Sequence, residues 1–174
     1  MKRLAFLEKL ESEHRRFGFK NLIYMDETGF DAHCYRDAGW VKKGQKILGL
    51  VTGKREQRTH LMMAQRHAAK GGKRQWLAPM LFKGSCNAKI VETWIEHFLM
   101  KELHEPTIVV MDNASFHNHE RIQKILAKDY HYLIPLPPYS PDLNPIEQTF
   151  GAMKKRRQSM PDGTTIGDLI SSYS

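Results

Sequence analysis

Three acidic side chains carry the chemistry available to this sequence. Asp26 closes the apolar run Leu22-Ile23-Tyr24-Met25, and Asp112 closes a second run, Ile108-Val109-Val110-Met111. Glu147 stands behind a proline-rich turn, Pro137-Pro138-Tyr139-Ser140-Pro141-Asp142-Leu143-Asn144-Pro145-Ile146. Carboxylate oxygens are hard ligands suited to divalent cations. A fold that brings these three together would hold metal ions able to act on phosphodiesters.

Each acid also has a plainer role open to it. Asp26 lies just before Thr28-Gly29, and Asp112 just before Asn113, so either can close an Asx turn. Two similar strands ending in the same acid favour a shared purpose. Adjacent parallel strands would set Asp26 beside Asp112, and like charges that close call for a compensating cation. Strand alternation sends Asp26 to the face of Leu22 and Tyr24, and Glu27 to the other. Asn144, Pro145, Ile146 and Glu147 read as N-cap, N1, N2 and N3 of a helix, so Glu147 suits a capping box as well as it suits a metal. Along that helix Ile146, Phe150 and Met153 make a core stripe, with Glu147, Gly151 and Lys154 in line beside it.

Other candidates are weaker. His117 and His119 could take a metal, but paired loop histidines are more often surface residues. Gly49 to Lys54 resembles a phosphate loop one residue short, with Arg55 where Ser or Thr should hold Mg²⁺. No Gly-x-Ser-x-Gly elbow or catalytic-cysteine context is present.

The elements that would position the acids follow from periodicity. Residues 2–16 form an amphipathic helix, and residues 21–27 a buried strand left at Thr28-Gly29. Residues 31–46 are loop-like, 47–52 extended, and 53–56 a turn. Strands at 59–64 and 76–82 flank a hairpin tip at 68–73. A helix over 88–103 sets Ile90, Trp94, Ile95, Phe98 and Leu99 on one side. A strand at 107–111, a helix at 118–128, a strand at 132–134 and a helix opened by Asn144 complete the chain. Early hairpins followed by alternating helix and strand indicate an α/β domain with a mixed sheet covered by helices.

Bulk properties narrow the function. The chain has 174 residues, enough for one domain with a real core. Charge reappears too early at the N-terminus for a secretory signal, and no apolar run approaches a membrane span, so a cytosolic protein is expected. Cys34 and Cys86 lack metal-ligand spacing, which excludes a zinc site built on Cys pairs and argues against a disulfide framework. The net charge is +8. Basic clusters at Lys42 and Lys43 and at Lys154-Lys155-Arg156-Arg157 point to a polyanionic partner.

Taken together, Met25-Asp26-Glu27-Thr28-Gly29-Phe30, Met111-Asp112-Asn113-Ala114-Ser115-Phe116-His117 and the block from Leu136 to Glu147 resemble the three signature blocks of DDE transposases. The resemblance is to the mariner superfamily, in its bacterial insertion-sequence branch, and covers roughly residues 20–157. The second and third acids are 35 positions apart, the close spacing of that superfamily. It implies an RNase H-like fold, a mixed five-stranded sheet flanked by helices, with residues 20–174 as the catalytic domain and 1–19 as a helical linker remnant. It matches Asp26, Asp112 and Glu147 to the catalytic, metal-binding acids, and passes over Glu27 and Asp142. It implies two Mg²⁺ ions, with Mn²⁺ as substitute, and DNA cleavage followed by strand transfer. Asn113, His117 and Asn144 are expected to support the acids, and Lys42, Lys43, Lys154, Lys155, Arg156 and Arg157 to contact DNA. A homodimer on paired DNA ends, a separately encoded helix-turn-helix partner and a nucleoid-associated bacterial location are further implications. The alternative is a non-catalytic DNA-binding remnant of a truncated or split transposase.

Overall fold

The computed structural model describes residues 2–17, 21–32, 43, 57–66 and 74–173. The expected loop at 31–46, the extended stretch at 47–52, the tip at 68–73, Lys42 and Cys34 lie wholly or largely outside the described residues. The element order is α1 (Lys2–Phe17), β1 (Leu22–Phe30), β2 (Thr59–Arg66), β3 (Gln75–Lys83), α2 (Ala88–Trp94), α3 (Met100–Glu102), β4 (Ile108–Met111), α4 (His119–Leu126), β5 (Tyr132–Pro135), α5 (Pro145–Ser159) and α6 (Ile166–Ser171).

Five strands form one sheet in the order β3-β2-β1-β4-β5. β1 is antiparallel to β2 and parallel to β4, and β4 is parallel to β5. The sheet is therefore mixed, as the alternation of hairpins and helices predicts. Even-numbered and odd-numbered residues of β1 feed different cores. Ile23 and Met25 pack with Val109 and Met111 against Trp94, Leu99, Ile122 and Leu126 of the helices on one face. Leu22 and Tyr24 pack with Ile108 and Val110 against Phe6, Ile146, Phe150 and Met153 on the other.

Three differences from the sequence reading have physical causes. β1 does not stop near Asp26 but runs to Phe30, because β2 pairs with it from Ile23 through Phe30. β4 pairs with it only over Leu22, Ile23 and Tyr24. Phe98 is 49% exposed rather than facing the core, since Ile95–Leu99 forms a π-helical turn between α2 and α3 that shifts the phase of the face. A sixth helix, α6, was not foreseen. Its capping box, Thr165 with Asp168, and the buried Ile166 and Leu169 mark it in hindsight.

The strand pairing next to Asp26 is irregular. Asp26 is registered against Met63 of β2, where the β2–β3 ladder slips between Met62 and Ala64. Ala78 on β3 takes a left-handed φ of 47° at this bulge. Its carbonyl accepts from Trp94 Nε1 at 2.8 Å and its N–H donates to Glu102 Oε1 at 3.0 Å. The bulge adds local twist to the sheet beside the first acid.

Candidate active site

Parallel pairing of β1 with β4 delivers the first two acids. Tyr24 is level with Val110, so the same register carried two residues further sets Asp26 level with Asp112. Asp26 is only 8% exposed and points to the face of Leu22 and Tyr24, as alternation requires. Its Oδ1 accepts from the Glu27 N–H at 2.8 Å, and its Oδ2 accepts from Asn144 Nδ2 at 2.9 Å.

Asn144 explains how the third acid is brought in. Helices α2 and α4 also begin at an asparagine, and there the side chain caps the helix: Asn87 Oδ1 accepts from the Ile90 N–H, and Asn118 Oδ1 from the Arg121 N–H, each at 3.1 Å. Asn144 makes no such cap. Only its backbone carbonyl accepts from Glu147, at 3.1 Å. The capping box expected from spacing is absent, because the amide is spent on Asp26. That leaves Glu147 exposed on the first turn of α5, beside Asp112 in a cleft of about 360 Å³.

Electrostatics bear out the proximity. Burial pushes the Asp26 carboxyl up to about 8, and the negative charges of Glu27, Glu147 and Asp112 add to it. For Asp112 burial works in the same direction, but contact with His117 outweighs it and holds the carboxyl below its usual value. Burial disfavours a charged His117, yet Asp112 and then Glu27 raise it above the ordinary imidazole value. Burial raises Glu27 too, with His117 opposing.

His117 is therefore not the surface residue that loop histidines usually are. Its side chain is 1% exposed, with Nδ1 2.9 Å from Asp112 Oδ1 and Nε2 3.9 Å from Glu27 Oε2. Neither ring nitrogen makes a well-aligned hydrogen bond, so both contacts are ion-pair contacts. His119 Nε2 lies 3.3 Å from the Asp112 carbonyl. Asn113 lines the cleft.

The residues passed over have other employment. Glu27 faces His117, and exposed Asp142 pairs with Arg3 of α1. Cys86 is half-buried and free, its thiol pushed up to about 12 by burial and the Glu27 charge. Among the basic residues, Lys43, Lys154 and Lys155 are exposed. Arg157 donates to the carbonyls of Asp31 at 2.6 Å and Ala32 at 3.0 Å, and Arg156 stacks over Tyr173. Those two guanidinium groups brace the end of β1 and the α6 segment.

The donor set suits a hard divalent cation: carboxylates dominate, one of them pushed towards protonation by burial and then by its acidic neighbours. Asn144 lines the cleft, and its Oδ1 is buried without a hydrogen-bond partner among the described residues, as though the cleft expects a further occupant. The groups are not drawn in around one point: among the described residues no three His, Cys, Asp or Glu side chains are gathered closely enough to enclose a metal. Asp112 is instead turned to His117. No described helix is long and apolar enough to cross a membrane.

Residues 21–169 match the family of DDE superfamily endonucleases. No curated protein matches the sequence. Solved structures with the same fold include the Mos1 transposase paired-end complex with the left transposon end, at TM-score 0.74 and 20% identity over 99% of this chain and 53% of that one. The Mos1 strand transfer complex matches at TM-score 0.72 and 20% identity, over 98% of this chain and 51% of the other. The catalytic domain of Mos1 mariner transposase matches at 0.58 and 16%, covering 98% and 76%. The chain thus spans about half the length of the first two. The fold is RNase H-like, as the resemblance implies, and its five-stranded sheet is mixed, as the element order predicts.

Proposed function

The chain belongs to the DDE superfamily of endonucleases, and from that premise we propose that it is the catalytic domain of a transposase, cutting DNA at the ends of a mobile element and joining them to a target. The observation that supports this reading is the β1–β4 register, which carried on would set Asp26 level with Asp112, together with the Asn144–Asp26 hydrogen bond, which ties the start of the helix bearing Glu147 to Asp26. We assign Asp26, Asp112 and Glu147 as the ligands of two Mg²⁺ ions, replaceable by Mn²⁺. Mos1 structures with Mg and with Mn support the choice of ion. When bound, such ions supply Lewis acidity at the attacking and leaving oxygens of an in-line displacement.

The protein's own residues do the positioning. Asn144 holds Asp26 on the cleft side of β1, and His117 anchors Asp112 from behind. The first turn of α5 carries Glu147 in the same cleft as Asp112. Exposed Lys154 and Lys155, on the same helix as Glu147, offer charge to a DNA backbone running along it. Hydrolysis frees a 3′-hydroxyl, which then attacks a second phosphodiester without a covalent enzyme intermediate.

The proposal extends to the bacterial insertion-sequence branch and a nucleoid-associated location. It includes a homodimer bridging paired ends, a reading to which the Mos1 paired-end complex with transposon-end DNA lends support, and a separately encoded helix-turn-helix partner to read them. Nicking of a supercoiled plasmid with Mg²⁺ or Mn²⁺ tests the core of it. Asp112→Asn is expected to abolish nicking with circular dichroism unchanged, and persistent nicking would sink the assignment. Salt-sensitive DNA binding with no cleavage by any metal would mark the chain instead as a non-catalytic DNA-binding remnant.

A further inference from the structure

Tyr139 is fully exposed, at 100%, although it sits on the wall of the cleft that holds Asp112 and Glu147. Its backbone is also in the left-handed region, with φ of 54°. A side chain there pays a steric penalty that glycine would not. Tyr130 shares a positive φ, but that residue ends a helical turn, where a left-handed residue is the usual terminator. Tyr139 terminates no helix.

The ring is not exposed because its loop is loose. On one side the Leu136 N–H donates to the Met111 carbonyl at 2.8 Å. On the other, Ser140 is 4% exposed and its hydroxyl donates to the Pro138 carbonyl at 3.2 Å. The Leu143 N–H donates to Ser140 O at 3.1 Å, and the Asn144 N–H to Pro141 O at 2.9 Å. Three prolines, Pro137, Pro138 and Pro141, fix φ through the same turn. A rigid, strained turn thus holds one aromatic ring wholly in solvent at the mouth of an acidic cleft.

The cleft lining is of two chemical kinds. Asp112, Glu147 and Asn144 are polar, while the proline rings and Tyr139 offer apolar and aromatic surface. A nucleotide has the same division: an anionic phosphodiester at one end and a flat, weakly polar base at the other. Every base offers a π-face, and stacking on an aromatic side chain tolerates any sequence.

We propose that Tyr139 is a nucleobase-stacking subsite, which receives an unpaired base next to the phosphodiester presented to the acids. The inference rests on the reading of this cleft as a DNA-cleaving site. It predicts tighter binding to DNA with an unpaired end than to a blunt duplex of the same length.

Fluorescence anisotropy in EDTA, where no cleavage occurs, tests it with two labelled duplexes, one blunt and one carrying a short 3′ overhang. Wild-type protein is expected to prefer the overhang, and Tyr139→Ala to lose about 5- to 150-fold in affinity for it while binding blunt DNA as before. Tyr139→Phe and Tyr139→Trp should retain the preference. Tyr139→Gly should lose it without a fall in Tm, because the strain is relieved; a residue kept for the fold would show the reverse. Equal binding of the two duplexes by wild type, or an overhang preference that survives in Tyr139→Ala, overturns the inference. If that result comes with intact metal-dependent nicking, the stacking subsite fails alone. If wild type neither nicks nor binds DNA, the reading of the cleft fails first and the subsite with it.

Discussion

Replacing Asp26 by asparagine should make the metal-free protein more stable while removing its capacity to cleave. The carboxyl has its ordinary value of 3.8 in the unfolded chain and is pushed up to about 8 in the fold. Between those values the folded state holds a proton that the unfolded state has released, so stability falls as pH rises through that window. The contribution is intact below the unfolded value and gone above about 8. At about 1.4 kcal/mol per unit, the span of roughly four units sets an upper bound near 6 kcal/mol. Water entry and adjustment of the neighbouring acids reduce it, and about 2–4 kcal/mol is the expected gain near pH 8. The substitution costs little in packing. Asn144 Oδ1 is buried and unpartnered, so a flip of the Asn144 amide lets it accept from the new side chain. For a chain of this size the gain corresponds to a Tm rise of about 5–15 °C. Thermal melts in EDTA at about pH 5 and pH 8 would show the advantage growing with pH. Millimolar Mg²⁺ should then raise the Tm of wild type and not of Asp26→Asn. An asparagine variant no more stable than wild type at the higher pH, or an advantage that does not grow between the two, would refute the account of Asp26 as a carboxyl raised by burial and then by the charges around it.

Three other outcomes follow from contacts described above. Asn144→Ala should cost about 1–3 kcal/mol in urea unfolding and weaken Mg²⁺ stabilisation, since a buried acceptor loses its donor; unchanged metal response would show that Asn144 merely fills space. Lys154→Ala and Lys155→Ala should each lower the salt slope of DNA binding by about one, while Arg157→Ala should instead lower Tm because its guanidinium is spent on two carbonyls; equal effects on the slope would contradict that division. Gly151→Ala should stabilise by about 1 kcal/mol, because a Cβ there meets nothing within 4 Å. A loss of stability in denaturant titration would show that the helix face is not open.

Local pattern carried much of the fold into view and less of the site. The runs before Asp26 and Asp112 are apolar and β-branched enough to be read as strands without help. That β1 continues to Phe30 was hidden, because the partner that extends it, β2, lies some thirty residues away and pairs on the opposite edge. The exposure of Phe98 was hidden for a similar reason, since a π-helical turn has no distinctive composition. Asn144 is the sharpest case. Its sequence context is that of a helix cap, and Asn87 and Asn118 behave accordingly. Only the placement of Asp26, 118 residues earlier, decides that its amide goes elsewhere. The burial of His117 was equally illegible, because nothing local says that Glu27 will lie on its other side.

The pairing of β1 with β4 has a consequence in time as well as space. The central strand is made early in the chain, yet its parallel neighbour arrives more than eighty residues later, and α5 later still. Contacts of such long range close slowly and after local structure has formed. A chain emerging from the ribosome presents Asp26 long before Asp112 exists, and Glu147 later still. The proposed metal site therefore assembles after the local structure around each acid. A nascent chain that has not reached Glu147 carries one of these acids or two, and so lacks the complete set.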